Sequence, residues 1–318
     1  MNTIYNKKPV YRTIIEYKDF KIIIILIGII LFATIFVDNF NTLQNFTVIL
    51  TNVSIIGIIS VGVSMLMISG EFDISVGGVV AFGPYIMLSL INIGVNQYLA
   101  ILAALLLGIF TGLFNGFIVT RFRIPSLIAT LGATMVWRGM TLLISQGLNA
   151  RFPERFVLGE ILAGKIGFFP IQFLWFFIIT IILWVILENT RFGNWVFSTG
   201  GNRVAAESHG INTKKVKITS FIIVGMLASF AGIVQGSQLG SIFPLQGSGM
   251  ELSAIAATVI GGTSIAGGAG SIIGTFVGVI IISLINNILI LAGAPGFYYQ
   301  LFVGLIIIFV VILYKIKR

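Results

Sequence analysis

Long runs of apolar residues recur along almost the whole of this chain, separated by shorter polar stretches. Of the 318 residues, 57% are hydrophobic and only 9% are charged, and the mean hydropathy is +1.08. A soluble domain carries about 25% charged residues because its surface faces water. Helices in lipid need no polar face, since their backbone groups bond within the helix. The sequence therefore predicts an all-α integral membrane protein that forms a single transmembrane domain, residues 1–318.

The number of spans follows from the thickness of a bilayer. A hydrocarbon core about 30 Å thick needs about 20 helical residues. With that length we predict about ten transmembrane helices, of which the third and the eighth are short or interrupted by glycine. The spans are predicted at approximately 21–38, 46–69, 75–92, 98–120, 124–145, 169–187, 217–239, 252–265, 270–292 and 297–314. Eight spans with two re-entrant segments are the alternative.

Basic residues fall mostly in alternate connections between the predicted spans. If the N-terminus is inside, 15 of the 19 Lys and Arg residues lie on the cytoplasmic side; Arg151, Arg155 and Lys165 lie outside, and Arg138 lies within a span. Positive residues are retained on the cytoplasmic side, so we expect a multi-pass membrane protein with both termini cytoplasmic. The net charge of +9 is spread over separate loops, which argues against a nucleic-acid partner.

Residue patterns that carry enzyme chemistry are missing from the sequence. There is no cysteine, and His209 is the single histidine, so a His/Cys metal site cannot be assembled. The glycine-rich stretch 261–270 lacks the lysine of a P-loop. We therefore expect no enzyme activity, and no metal or cofactor bound by this chain.

Two halves of the chain resemble each other. The segment GEFDIS at 70–75 is similar to SGMELS at 248–253. Asn115 followed by Pro125 is echoed by Asn286 followed by Pro295. Repeat halves at approximately 46–145 and 217–314 would lie in opposite orientations, an arrangement typical of transporters. Chance similarity between glycine-rich apolar segments is the alternative.

Polar residues interrupt several of the apolar segments, where an ionisable group is costly unless it is paired, capped or hydrated. Eight of them are candidates either for caps and interhelical hydrogen bonds or for contacts along a solute pathway. They are Glu71, Asp73, Ser75, Asn115, Glu251, Ser253, Asn286 and Asn287. The sequence does not decide between the two roles, in particular for Asp73 and Glu251.

The loop 188–216 is the most polar stretch of the chain. Asn202 is suited to begin a helix, Ala205 and Ala206 favour one, and Gly210 is suited to end it. We predict a short helix outside the bilayer whose small side chains dock against another protein. A solvated loop is the alternative.

Three stretches, in matching order and spacing, resemble one protein family. They are GEFDISVGG at 70–78, Asn115-Gly116 followed by IPSLIATLGATMVWRG at 124–139, and 200–211 followed by 260–287. They are similar to segments of the ribose-type permease subunits of ATP-binding-cassette (ABC) importers, whose relatives handle sugars, branched-chain amino acids, nucleosides and a furanosyl signal. Ser126 and Ile288 depart from the usual proline and glycine, and the acidic residue that often ends the last span is missing, which leaves the solute open.

This resemblance implies a type II importer fold in which two permeases, as a homodimer or with a paralogue, form the pore. An extracytoplasmic binding protein would deliver the solute, and two cytoplasmic ATPases carrying ATP and Mg would drive alternating access. It places the ATPase-coupling contact on eight residues of the 188–216 loop. They are Gly201, Asn202, Arg203, Ala205, Ala206, Glu207, Gly210 and Ile211.

The function predicted in this way is the import of a monosaccharide such as ribose or xylose by the permease subunit of an ABC importer. Import of nucleosides, a furanosyl autoinducer or amino acids by the same architecture is the first alternative. An ion-coupled secondary transporter, which needs no ATPase and would place a coupling carboxylate within the membrane, is the second.

Overall fold

The computed structural model describes residues 20–153 and 156–316, most of them as helix. The predicted cytoplasmic termini, with Lys7, Lys8, Arg12 and Lys18, lie outside the described residues. Thirteen helices occur in the described part: α1 (Phe20–Phe36), α2 (Leu43–Ile68), α3 (Val76–Asn92), α4 (Gln97–Phe122), α5 (Ser126–Ser145), α6 (Leu158–Ala163), α7 (Ile171–Asn189), α8 (Arg191–Gly201), α9 (Arg203–Ser208), α10 (Thr213–Leu239), α11 (Met250–Ile260), α12 (Ile272–Leu291) and α13 (Phe297–Ile316). Four strands of two residues accompany them: β1 (Ala150–Arg151), β2 (Lys165–Ile166), β3 (Phe169–Pro170) and β4 (Ser241–Ile242).

Six of these helices, α2, α4, α5, α7, α10 and α12, are long and apolar enough to cross a membrane, judged by length and composition. Four shorter apolar helices coincide with the remaining predicted spans: Ile22–Phe36, Val76–Asn92, Met250–Ile260 and Phe297–Phe309. An integral membrane protein is thereby confirmed, while the count of ten spans stays a prediction.

The predicted span 252–265 is wrong at its end. Helix α11 stops at Ile260, and the chain then turns through Gly262, whose φ is +88°. The left-handed region suits glycine because it has no Cβ. The segment from there to Ser271 is a non-helical turn before α12.

The connections gather at two opposite ends of the bundle. Strand β1, in the connection between α5 and α7, pairs antiparallel with β4, which follows α10. Helix α9 precedes α10 and therefore lies at its other end. We call these the β1 end and the α9 end.

Helices α4 and α10 pack through glycine. Gly108, Gly112 and Gly116 recur every four residues on α4, and a Cβ atom at Gly112 would lie 2.2 Å from the carbonyl oxygen of Phe221 on α10. Small residues at this spacing let two backbones approach closely, which is a common way of joining helices in membranes. The contact ties the two predicted repeat halves together.

The loop 188–216 contains more helix than the sequence predicts. Helix α8 occupies its first part, and its N-terminus is capped by Thr190, whose Oγ1 accepts a hydrogen bond from the Gly193 N–H at 3.3 Å. Helix α9 follows after Asn202, whose Oδ1 accepts a hydrogen bond from the Ala205 N–H at 3.0 Å. The cap predicted at Asn202 is therefore present.

Candidate functional site

Two helices begin inside the bundle rather than at its surface. The non-helical segment before α3 is buried, with Asp73 and Ser75 each 1% exposed. The first turn of α3 meets the first turn of α11, since a Cβ atom at Gly77 would lie 2.1 Å from Oε2 of Glu251. The two similar segments, 70–75 and 248–253, thus lead into helices that meet in the interior. Interrupted helices of this kind surround the solute sites of many transporters.

A cavity of about 500 Å³ with a partly polar wall opens beside Glu251. Its walls come from α2, α10, α11, α12, α13 and the turn before α11. Eight of its lining residues carry amide, hydroxyl or carboxylate groups: Asn52, Gln235, Ser248, Glu251, Ser253, Asn286, Tyr299 and Gln300. The sequence pointed to three of these residues, Glu251, Ser253 and Asn286.

Two residues of the cavity wall, Glu251 and Gln235, each carry a buried side-chain oxygen without a hydrogen-bond partner among the described residues. Oε1 of Glu251 accepts a hydrogen bond from Nη2 of Arg138 at 3.3 Å, which forms an ion pair. Oε2 of Glu251 and Oε1 of Gln235 are buried and have no hydrogen-bond partner among the described residues. A buried acceptor without a partner costs about 1–3 kcal/mol. Both oxygens are buried, and Oε2 of Glu251 lies against Gly77 of α3, so neither is exposed to a solute in this structure.

Tyr299 of α13 also lines this cavity. Its hydroxyl donates a hydrogen bond to Oγ of Ser253 at 3.0 Å, and the Ser253 hydroxyl donates to the carbonyl of Gly249 at 3.0 Å. Ser253 therefore holds Tyr299 in place. Sequence analysis missed Tyr299, because an aromatic residue near the end of a span is ordinary at a membrane interface.

The corresponding residues of the first half, Asp73, Ser75 and Asn115, hydrogen-bond to one another. Nδ2 of Asn115 donates hydrogen bonds to Oδ2 of Asp73 at 3.2 Å and to Oγ of Ser75 at 2.7 Å. The Ser75 N–H, immediately before α3, donates to Oδ1 of Asp73 at 2.8 Å. Glu71 pairs with Lys217 of α10. These first-half residues do not line the cavity, whereas Glu251 and Ser253, which also bond to protein groups, do.

The two adjacent asparagines of α12 differ in their surroundings. Asn287 is 3% exposed, and its Nδ2 donates a hydrogen bond to Oδ1 of Asn45 on α2 at 2.7 Å. Asn286 lines the cavity. Asn287 is thus part of a helix contact, and Asn286 faces the space that a solute could enter.

Volume alone would select a different place. One cavity of about 610 Å³ lies between α1, α2, α7 and α12, and another of about 420 Å³ is lined by aliphatic and phenylalanine side chains. The smaller of these cavities has no polar side chain in its wall, and the larger one has three, Thr34, Asn41 and Thr42, so both offer fewer polar groups to orient a hydroxylated ligand. The cavity at Glu251 has those groups.

Helix α9 presents a different surface from the predicted one. Ala205 is exposed, but Ala206 is only 4% exposed because it packs against this chain. The side chain of Ala206 therefore faces this chain, and the contact of α9 with an ATPase stays a prediction. Val204, which the sequence analysis did not single out, is the most exposed apolar side chain of α9, at 74% exposure.

Glu207 ties α9 to the start of α10. Its carboxylate accepts a hydrogen bond from the Thr213 hydroxyl and another from Nε of Arg203, the latter at 2.9 Å. The hydrogen bond from Thr213 has the larger effect and that from Arg203 the smaller, and both hold the pKa of Glu207 below its usual value. Gly210, with a φ of +79°, turns the chain after α9, and the Ile211 N–H donates to the Ala206 carbonyl at 3.1 Å. Gly201 is exposed at the end of α8.

Apolar helices around a cavity with polar wall groups, two of which begin in the interior, are typical of a membrane transport protein. The chain belongs to the family described as branched-chain amino acid transport system / permease component, whose model matches residues 45–311. The predicted resemblance is thereby confirmed.

Several relatives match almost the full length of the chain. It is 36% identical over 308 residues to the ribose import permease protein RbsC of Escherichia coli K12, covering 96% of this chain and 95% of the relative. It is 34% identical over 305 residues to RbsC of Haemophilus influenzae, covering 95% and 93%. The autoinducer 2 import system permease protein LsrC of Yersinia pseudotuberculosis serotype O:3 is 34% identical over 279 residues, or 86% and 78%. No solved structure matches the chain.

Proposed function

We propose that this chain is the translocating subunit of an ABC importer for a monosaccharide such as ribose or xylose, and that the solute passes through the cavity at Glu251. The observation that carries the proposal is the set of amide, hydroxyl and carboxylate groups around that cavity. A neutral, hydroxylated solute can satisfy such groups without leaving a charge unpaired. Near-full-length relatives named for ribose import support the choice of sugar.

The proposal includes the architecture that the resemblance implies. Ten spans form an inverted repeat of the type II kind, with both termini and the 188–216 loop cytoplasmic in a bacterial inner membrane. A second permease copy or a paralogue completes the pore. A cytoplasmic ATPase binds ATP and Mg, which this chain does not, and an extracytoplasmic protein delivers the solute.

A furanosyl autoinducer is the second candidate solute, and one observation favours it: the 34% identity to a permease named for autoinducer 2 import. Nucleosides and amino acids are further candidates of the same architecture. For an ion-coupled secondary transporter, the buried carboxylates Asp73 and Glu251 would be the candidates. Glu251 forms an ion pair with Arg138, and Asp73 accepts hydrogen bonds from Ser75 and Asn115.

The test is uptake by reconstituted vesicles that contain the permease, its ATPase and its binding protein. We expect uptake of labelled ribose to require ATP hydrolysis, and Gln235→Ala to reduce uptake while the ATPase stays bound. Labelled autoinducer 2, adenosine or leucine, added outside the vesicles in place of ribose, distinguishes the other solutes. Uptake driven by an ion gradient without ATPase would overturn the ABC assignment.

Orientation is tested separately, because the chain has no cysteine. A single cysteine at Ser208, in α9, should resist an impermeant maleimide in intact cells and react after lysis. A single cysteine at Ser248, exposed beside the cavity, should react in intact cells. Labelling of position 208 from outside contradicts the proposed topology.

A further inference from the structure

Three chain segments meet backbone to backbone at the α9 end. They are the end of α8 (Gly200 and Gly201), the turn after α2 (Gly70), and the turn between α11 and α12 (Gly267 and Gly268). We call these five residues the glycine junction. A Cβ atom at Gly200 would lie 1.8 Å from the carbonyl oxygen of Ile68 and 2.7 Å from the nitrogen of Gly268. No side chain fits at Gly200 unless the backbone moves.

The other contacts of the glycine junction are also too close for a Cβ atom. A Cβ atom at Gly267 would lie 2.8 Å from Cα of Gly70, and one at Gly268 would lie 2.5 Å from Cα of Gly201. The Gly268 N–H donates a hydrogen bond to the Ile68 carbonyl at 2.8 Å. No flexible side chain lies between these backbones, and close-packed groups transmit displacement rather than absorb it.

Each segment of the glycine junction continues into a different part of the proposed transport machinery. Gly201 is followed directly by Asn202, the cap of α9. Gly70 is followed by Glu71, which pairs with Lys217. Asp73, which hydrogen-bonds to Ser75 and Asn115, comes two residues later. Gly267 and Gly268 follow α11, a short helix whose first turn carries Glu251. One contact therefore connects α9 with both predicted repeat halves.

We propose that the glycine junction transmits movement of α9 to the turns after α2 and α11 together, and through α11 to the cavity at Glu251. Gly200 and Gly268 are then positioning residues for transport. The inference rests on the proposed function, because it takes α9 as the site where the ATPase docks. It adds that α8, the α2–α3 turn and the α11–α12 turn move as one body.

The first test uses Gly200→Ala and Gly268→Ala in the complete reconstituted complex. The proposal predicts that the ATPase still copurifies and hydrolyses ATP, because the surface of α9 is unchanged. Solute transported per ATP should fall about tenfold or more, as expected for an overpacked contact that shifts the segments apart. A cysteine at Ser248, beside the cavity, should change its maleimide reactivity on ATP trapping in the parent but not in these variants.

The matched control is Gly112→Ala, which introduces a comparable backbone clash at the α4–α10 crossing, away from the glycine junction. It should lower the amount of folded protein while solute transported per ATP stays that of the parent. Gly28→Ala, with no atom within 4 Å of the added Cβ, should change neither quantity. A parent-like ratio in Gly200→Ala and Gly268→Ala overturns the proposal.

A second measurement needs no glycine variant and therefore does not depend on their folding. Spin labels at Ser198 on α8 and Ala266 in the α11–α12 turn, both exposed, should keep a constant distance when ATP is trapped. The distance from either label to one at Leu143, near the β1 end, should change. A change in the distance between the labels at 198 and 266 overturns the proposal that the segments of the glycine junction move as one body. Absence of ATP-dependent uptake in the parent overturns the proposed function instead, so the two failures are distinct.

Discussion

Asn45 and Asn287 hydrogen-bond to each other twice: Nδ2 of Asn287 donates to Oδ1 of Asn45 at 2.7 Å, and Nδ2 of Asn45 donates to Oδ1 of Asn287 at 3.1 Å. Asn45 also donates to the Phe40 carbonyl at 2.9 Å. This reciprocal pair joins α2 of the first predicted half to α12 of the second. Two buried amides that satisfy each other stabilise a helix contact without adding charge.

We expect the Asn45–Asn287 pair to show coupling in a double-mutant cycle. Asn45→Ala and Asn287→Ala should each lower the free energy of unfolding, with an interaction term of about 0.6 kcal/mol and at most about 1.7 kcal/mol. The measurement is denaturation in detergent micelles. Asn286→Ala is the matched control, because it should weaken solute uptake and leave stability unchanged. Strictly additive effects of the two single variants would contradict the pairing.

The Asp73–Asn115 contact predicts a rescue by exchange. Asp73→Asn retains an acceptor for the Ser75 N–H but places an amide N–H₂ near Nδ2 of Asn115, so two donors face each other. We expect Asp73→Asn to lose stability and uptake. The exchanged variant Asp73→Asn/Asn115→Asp should recover most of both, because it restores one donor and one acceptor.

Thermal stability in detergent and ATP-dependent uptake are the readouts for this exchange. Asn115→Asp alone, which sets two carboxylates against each other, should be worse than either Asp73→Asn or the exchanged pair. Failure of the exchange to improve uptake while stability recovers would show that Asp73 is needed as a charge on the pathway.

Much of the helical pattern follows from the sequence, because hydrophobicity acts locally along the chain. The cap at Asn202 was predicted for the same reason: its partner, the Ala205 N–H, is three residues away. The pairing of Glu71 with Lys217 joins residues 146 positions apart. Nothing in the sequence alone selects Lys217 among the basic residues, so such partners emerge only from the packing of helices.

The sequence alone also does not show how neighbouring residues of the same type differ in their surroundings. A sequence pattern cannot distinguish Asn286 from Asn287, yet Asn286 lines the cavity and Asn287 is buried against α2. Likewise Ala205 is exposed and Ala206 is buried. A step of one residue turns a helical side chain by about a quarter of a turn, and only the tertiary contacts show which side faces the protein.

Two ion pairs bridge the predicted halves, Glu71–Lys217 and Arg138–Glu251. Lys217→Met leaves the largely buried Glu71 without its cation. Removing one partner of a buried pair costs about 3–5 kcal/mol, and we expect a loss near the lower value because 14% of the Glu71 side chain is exposed. The double variant Glu71→Gln/Lys217→Met should recover most of that loss.

The readout for the Glu71–Lys217 pair is the free energy of unfolding in detergent. Arg203→Met is the matched control, because the Arg203–Glu207 pair lies on the exposed surface of α9 and its removal should matter much less. If the double variant is less stable than Lys217→Met alone, the attraction between Glu71 and Lys217 is not what stabilises this contact.

The surface of α9 gives the last prediction. Val204 is 74% exposed and Ala206 is 4% exposed on the same helix, so substitutions at the two positions should fail in different ways. Val204→Asp adds a charge to the apolar contact proposed for the ATPase, and should abolish copurification of the ATPase while the permease keeps its thermal stability. Ala206→Trp overpacks a site inside this chain and should lower stability by about 1–3 kcal/mol.

Asn194→Asp on α8 is the control for Val204→Asp, since it adds the same charge at another exposed position of the 188–216 loop. It should leave copurification unchanged. The measurements are pull-down of the ATPase by the tagged permease and stimulation of ATP hydrolysis by the loaded binding protein. A Val204→Asp permease that retains a bound and stimulated ATPase would mean that the ATPase docks elsewhere, because no apolar contact tolerates a carboxylate at its centre without loss.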